Sequence, residues 1–504
     1  MSLRYALLTA TLFSVGLLNA GQTTRAAKVG FAERDITPQI GMERPGGYSK
    51  VFHRKFHDAC KVRAAVLDDG ENRVVILGID ALIVPRHLVL ACREQVEQQY
   101  GIPGEAIMIA ASHSHSSGPT GMVQPGEYDD ASELVRKLAY EESSTADPAY
   151  LERVQKAIVE AIGEANQKRT ERNVGFGSGI EDRVAFNRRF RMKDGFVHTH
   201  PGQGNPDILG PAGPTDPEVG VVAAWDDQGQ LVGCIVNFAC HATVNPGGIS
   251  ANYIYYLEQT IRGVMGEDAI VVFTAGASGD ITQVDNLSPY ARPKPEQWAR
   301  MVGGRVGAEA VKVMYTMETT RDFAVASRRK VLQIPRRKPR RERVLAAYEM
   351  LKHPGPKADA TERLFAKETV ILDAKLQKEP VAEVEIQAIQ AGPVVWIGNP
   401  AEYFCQYGLD IKKESPFPLT FPVSLANGAV GYVPTEAALG PRGGGYETRL
   451  TSYSNLIPTA GTLIAQESIA LAKQLQPGTI PTRPPHPEFR GQGWSYGNLP
   501  PQVD

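Results

Sequence analysis

The chain has 504 residues, and its 54 Lys and Arg against 56 Asp and Glu leave a formal net charge of −2. Hydrophobic residues make up 42% and charged residues 22%, a globular balance that can fill a large core in one to about three domains. There is no basic excess of the kind a nucleic-acid binder carries, and too little polarity for a disordered chain, so both classes are excluded.

Arg4 precedes an apolar stretch from Tyr5 to Leu18, followed by small residues ending at Ala20. This reads as a secretory signal peptide, assigned to residues 1–27, and predicts an exported protein, periplasmic or extracellular. The run is shorter than the ~20 residues of a membrane span. Arg63–Leu67 and Val74–Ile79 are strand-like runs joined by a hairpin-like Asp68-Asp69-Gly70-Glu71-Asn72 connection. A helix is predicted from Pro85 to about Tyr100, then a buried strand over Ala106–Ala111. Asp147-Pro148 starts a helix on which Leu151, Val154, Ile158, Ile162 and Ala165 recur at helical spacing.

Further on, Gly220–Trp225, Leu231–Ala239, Ala269–Thr274 and Pro393–Ile397 read as strands, and Tyr253–Met265, Glu296–Met317, Glu402–Lys413 and Thr462–Gln474 as helices. The pattern predicts an α/β fold with mixed β-sheets flanked by helices. Residues 28–476 read as one domain. Within it, a charged segment over about 336–378, opening with RRKPRRER, is expected to be a solvated helical insertion. Residues 477–504 read as an extended Pro/Gly-rich tail. The five cysteines include Cys234 and Cys240 on one strand-like run, roughly 20 Å apart at ~3.3 Å per residue, beyond disulfide reach. With no CxxC present, they are expected to be buried thiols.

The ten histidines carry the chemistry. In Ala110-Ala111-Ser112-His113-Ser114-His115-Ser116-Ser117-Gly118-Pro119, an apolar strand runs into His-x-His and a small-residue loop. On a strand, i and i+2 share a face, so both imidazoles could address one point. That suits two metal ligands, or one ligand with one acid/base group. His241 repeats the placement at the end of the Val232–Ala239 run, where α/β sheets gather ligand sites. In Ile397-Gly398-Asn399-Pro400-Ala401-Glu402, a carboxylate opens the predicted helix, whose dipole would hold it ionised. Asp80 also ends an apolar strand, as an orienting carboxylate, a second-metal ligand or a turn residue.

Together these elements resemble the catalytic part of the neutral/alkaline (non-lysosomal) ceramidases, zinc amidases that cleave the N-acyl bond of ceramide. The resemblance runs from about Val29 to Gln474 and is carried by GFAERDIT, ASHSHSSGP, FACHAT, GNPAEYF and LANGAVGYVPT in the family's order. It implies that His113, His241, Glu402 and Tyr432 bind zinc, and that His115 stands beside the activated water. It further implies an oxyanion role for Arg188, with Arg189 competing for that assignment, and an active-site tyrosine at Tyr446. The activity implied is attack by metal-activated water on an N-acyl amide, of ceramide or a related N-acyl lipid, with peripheral membrane contact.

Two departures are visible. Gly279-Asp280-Ile281-Thr282-Gln283-Val284 lacks the serine and proline often found there, and larger family members continue into an immunoglobulin-like domain where this sequence has its tail. The competing expectations are a zinc hydrolase of an ester or phosphoester, and a serine hydrolase centred on Ser278, which lacks the G-x-S-x-G elbow.

Overall fold

The structure is a computed structural model that describes residues 26–352, 359–491, 493 and 500–504. Except for Ala26 and Ala27, the predicted leader lies outside the described residues. The first sheet runs Ile107–Ala111, Arg73–Ile79, Lys61–Asp68, Lys28–Asp35 and Thr170–Glu171 from edge to edge. Its hairpin forms where the acidic turn predicts it. Asp69 Oδ1 accepts the Glu71 and Asn72 amides, Gly70 takes φ +88°, and Lys61–Asp68 pairs antiparallel with Arg73–Ile79. Helix Arg86–Tyr100, ended by Gly101 in the left-handed region, then carries the chain to Ile107–Ala111, parallel to Arg73–Ile79.

Helix Pro148–Gln167 starts as its sequence dictates, with the Asp147 carboxylate accepting the Tyr150 amide and Pro at the first turn. Its stripe of Leu151, Val154, Ile158, Ile162 and Ala165 is buried. It packs on strands Lys28–Asp35 and Lys61–Asp68. Each of the four larger side chains contributes about 1.5–3 kcal/mol by leaving water.

The second sheet orders Ile270–Ala275, Leu231–Phe238, Glu218–Trp225, Asn173–Ile180 and Thr319–Thr320. The third orders Val325–Pro335, Val381–Ala391, Val394–Gly398 and Leu419–Val423. Each contains one parallel pair bridged by a helix. Tyr253–Met265 links Leu231–Phe238 to Ile270–Ala275, and Cys405–Glu414 links Val394–Gly398 to Leu419–Val423. One apolar core joins all three sheets, through Ile76 and Ile109, Ile235 and Val272, and Trp396 and Phe421. Gly78 allows the close approach: a Cβ there would overlap the Phe273 carbonyl of the neighbouring sheet. Helices cover the outer faces, so the α/β class with mixed sheets and flanking helices holds.

Three expectations change. Glu402 does not open a helix; it lies in strand Ala401–Tyr403, and the helix begins only at Cys405 after Phe404. The charged segment forms helices Arg341–Lys352 and Ala360–Lys378, but it is not simply solvated. Residues Phe365 to Leu372 are all buried, and Lys367 Nζ donates to the carbonyls of Tyr48 and Glu142. Thr462–Gln474 shifts to Ala460–Ala472. All five cysteines are buried and free. Among the described residues, no helix is long and apolar enough to cross a membrane.

Candidate metal and catalytic site

The three helix-bridged parallel pairs deliver their C-terminal ends to one place, the position that open α/β sheets reserve for ligands. His113 follows Ile107–Ala111, His241 follows Leu231–Phe238, and Glu402 follows Val394–Gly398. Strand Ala401–Tyr403 pairs in parallel with Gly431–Val433 in a register that sets Glu402 directly beside Tyr432. His113, His241, Glu402 and Tyr432 are 4%, 1%, 7% and 7% exposed.

The imidazoles converge by a different route from strand alternation. The strand ends at Ala111, and His113 takes φ +61°, left-handed backbone that side chains rarely adopt. The turn is held by amide donations from Ser112 to Ile79, Ser114 to Ala81 and His115 to Ala242, so strain at His113 is built into the surroundings.

Around that turn, His113 Nδ1 lies 2.9 Å from the Leu82 carbonyl, and His241 Nδ1 lies 2.6 Å from the Ser278 carbonyl. A carbonyl only accepts, so each Nδ1 carries the proton and each Nε2 turns inward. His113 Nε2 is then 3.2 Å from His115 Nε2, and Glu402 Oε2 is 3.2 Å from His113 Nε2 and 3.3 Å from His241 Nε2. Burial, aided by Arg188, lowers His241 to about 3. Burial, with His113 and His241 beside it, also pushes half-buried His115 well below the ordinary imidazole value. Burial works against ionising Glu402, but the two histidines outweigh it and hold its carboxyl well below the usual range. A neutral His241 would bring an inward lone pair against a carboxylate oxygen, a repulsive arrangement unless a cation sits between them. The ligand atoms of His113, His115 and His241 lie within 4.8 Å of one another, so the three imidazoles could hold a metal ion. The donor set fits one.

A second layer faces this cluster. Arg188 is 2% exposed; its Nη2 donates to the Gly279 carbonyl at 2.7 Å and to the Tyr432 hydroxyl at 3.2 Å. Its guanidinium carbon lies 5.6 Å and 5.2 Å from the ring centres of Tyr432 and Tyr446, whose hydroxyls are 3.3 Å apart. Tyr432 stacks on His241 with rings 13° apart. Arg189 instead lies over Phe404, 5.1 Å from the ring centre, so of the two arginines the fold brings Arg188 to the cluster.

Asp80 is elsewhere engaged. Its Oδ2 accepts the Lys61 amide and Arg63 Nη1, each at 2.8 Å, and the orienting role beside His113 falls to the Leu82 carbonyl. Ser278 serves the site through the carbonyl that meets His241 Nδ1.

Sequence reasoning missed the residues behind this layer. Glu447, fully buried, accepts from Arg188 Nε at 2.8 Å and from Thr199 Oγ1 at 2.6 Å. Tyr48 accepts a hydrogen bond from Tyr453 at 3.0 Å and meets Tyr446 edge-on at 6.5 Å. Adjacency to Tyr446 was the one signal for Glu447. Tyr48 and Tyr453 carried none, because nothing local marks a tyrosine as lining a site assembled from distant segments.

No protein-family model matches the chain. In sequence it is similar to neutral ceramidase from Pseudomonas aeruginosa, 25% identical over 327 residues, or 60% of this chain and 45% of that protein. The match therefore spans less than half the length of this curated relative. In structure it is similar to the crystal structure of neutral ceramidase from Pseudomonas aeruginosa, with TM-score 0.66 and 19% identity, covering 91% of this chain and 76% of that one. A ceramidase complexed with C2 matches with the same TM-score of 0.66 and 19% identity, over 91% and 77% of the two chains.

Proposed function

We propose, from the likeness of this chain to neutral ceramidase in fold and sequence, that it is a zinc-dependent amidohydrolase releasing a fatty acid and an amine from an N-acyl lipid, ceramide or a relative of it. The observation that carries the reading is Glu402 Oε2 set 3.2 Å and 3.3 Å from the inward Nε2 atoms of His113 and His241. Two imidazoles and a carboxylate suit zinc, with Tyr432 as the fourth candidate ligand. When bound, the metal supplies Lewis-acid polarisation and an activated water near neutral pH.

The chain's own groups complete the chemistry. Arg188, buried and charged, and the Tyr446 hydroxyl present donors towards the space where an amide carbonyl oxygen would gain charge. These donors are fixed before reaction, so little reorganisation is needed. His115, kept neutral by burial, can take a proton from the attacking water and pass it to the departing nitrogen. Leu82 and Ser278 hold the tautomers of His113 and His241 through their carbonyls. Export, as the leader predicts, would bring such an enzyme to lipid outside the cytoplasm.

The test is hydrolysis across a panel of N-acyl amides that includes ceramide, beside matched esters and phosphoesters, before and after chelation. Loss of amide turnover on chelation and its return with zinc is the expected result. Turnover that survives complete metal removal, or that a serine-reactive probe abolishes, refutes the reading.

A further inference from the structure

The segment Ile40–Phe56 faces two ways. Inward, it roofs the site. Gly46, at φ +91°, passes so close to His115 that a Cβ there would overlap Nδ1. His53 Nε2 lies 2.8 Å from the Ser117 carbonyl, just beyond the His-x-His turn. The segment doubles back on itself, with amide donations from Gly41 to His53, His53 to Met42 and Arg44 to Val51. Outward, it leaves Ile40, Phe52 and Phe56 at 60%, 52% and 57% exposure. Large apolar side chains at such exposure on one short segment mark a surface that expects a partner.

The charges beside them indicate which partner. Between Glu43 and His57 lie four cations, Arg44, Lys50, Arg54 and Lys55, against one carboxylate, Glu43, which Lys50 already binds at 3.1 Å. The side chains of Arg54 and Lys55 are exposed and make no hydrogen bond or ion pair among the described residues. In a chain of net charge −2, this basic excess is local. Aromatic side chains interleaved with unpaired cations form the composition of an interfacial anchor: rings reach the acyl boundary while cations stay among anionic headgroups. We propose that Ile40–Phe56 docks the protein onto the surface of a bilayer containing anionic lipid, setting the site one loop's thickness from the membrane. The docking stands on the loop alone; its use, delivery of a lipid amide to His115 and its neighbours, rests on the proposed chemistry.

The test is cosedimentation of the full chain with phosphatidylcholine vesicles, with and without phosphatidylglycerol and free of any amide lipid. Binding should favour the anionic vesicles and weaken with salt. Each cation near the surface is worth about a fivefold change in partitioning, so Arg54→Glu with Lys55→Glu should reduce it roughly 25-fold or more and abolish the preference. Phe52→Ser with Phe56→Ser should reduce binding at least about tenfold on both compositions. Because the four positions are exposed, circular dichroism of the variants should match the parent. Turnover of a water-soluble N-acyl amide, followed in parallel, should be unchanged. A parent that ignores both vesicle types, or variants that bind as the parent does, overturns the proposal. So does a parent dimer in solution that the phenylalanine variant disperses, which would assign the patch to a second copy. Vesicle binding that follows these variants without amide turnover upholds the docking and sinks the chemistry alone.

Discussion

Glu447→Gln should damage both the stability and the turnover of this protein. The parent carboxylate is fully buried, receiving Arg188 Nε at 2.8 Å and Thr199 Oγ1 at 2.6 Å. Arg188 is itself 2% exposed, and Glu447 is its sole carboxylate partner among the described residues. Gln keeps the shape and one acceptor but strands a buried guanidinium without a counter-charge. Removing one partner of a buried pair costs about 3–5 kcal/mol, and the retained hydrogen bond points to about 3 kcal/mol. Denaturant unfolding of the metal-loaded protein reads that loss. Steady-state kinetics reads the second effect, a fall in kcat larger than any rise in KM, which follows from the role proposed for the guanidinium in meeting charge that develops during reaction. The double variant Arg188→Met with Glu447→Gln removes the stranded charge, so it should recover stability without recovering turnover. A Glu447→Gln protein with parental stability and kcat would refute the reasoning.

Gly46→Ala should cost about 1–2 kcal/mol through its left-handed backbone and displace His115, lowering kcat by roughly 100-fold while metal content holds. Metal lost together with turnover would make His115 a ligand. His241→Ala should reduce bound zinc, measured by elemental analysis after gel filtration, to background, and a stoichiometrically loaded variant would refute the ligand assignment. Glu258 is buried, which pushes its carboxyl up, but Arg63, Lys61 and Arg262 outweigh burial and hold it at about 2. A lowered carboxyl stabilises the fold fully above its unfolded value, and that contribution fades as pH falls towards about 2. Parent and Glu258→Gln should therefore differ by about 3 kcal/mol at pH 6 and converge through acid unfolding, whereas a gap that widens on acidification would reverse the sign.

The elements that were legible from sequence are those whose periodicity and end signals agree. Helix Pro148–Gln167 has an aspartate cap, a first-turn proline and an apolar stripe, and all three appear as read. The hairpin before Arg73 was legible because the Asp69 side chain closes its own turn. Glu402 was misread as a helix start because Gly398-Asn399-Pro400 looks like a helix entry. The pairing with Gly431–Val433, thirty residues on, makes it a strand instead, and no local pattern encodes such a partner. The segment 336–378 read as solvated because composition counts charges but not where they point. Lys367 is 3% exposed, its ammonium spent on two backbone carbonyls.

The histidine pair makes the subtler case. Strand alternation predicted that His113 and His115 would share a target, and they do, with Nε2 atoms 3.2 Å apart. The cause is not alternation but a left-handed residue at His113, a conformation that costs an L-residue about 1–2 kcal/mol. Sequence-local rules would not place a histidine there, since glycine and asparagine occupy such backbone at less cost. The fold offsets the cost by tying the Ser112 and Ser114 amides to the carbonyls of Ile79 and Ala81, at a neighbouring strand end. A separate contact fixes the imidazole, because Leu82 accepts its Nδ1 proton and turns Nε2 towards Glu402. The strained backbone and the inward-facing imidazole thus meet at one residue.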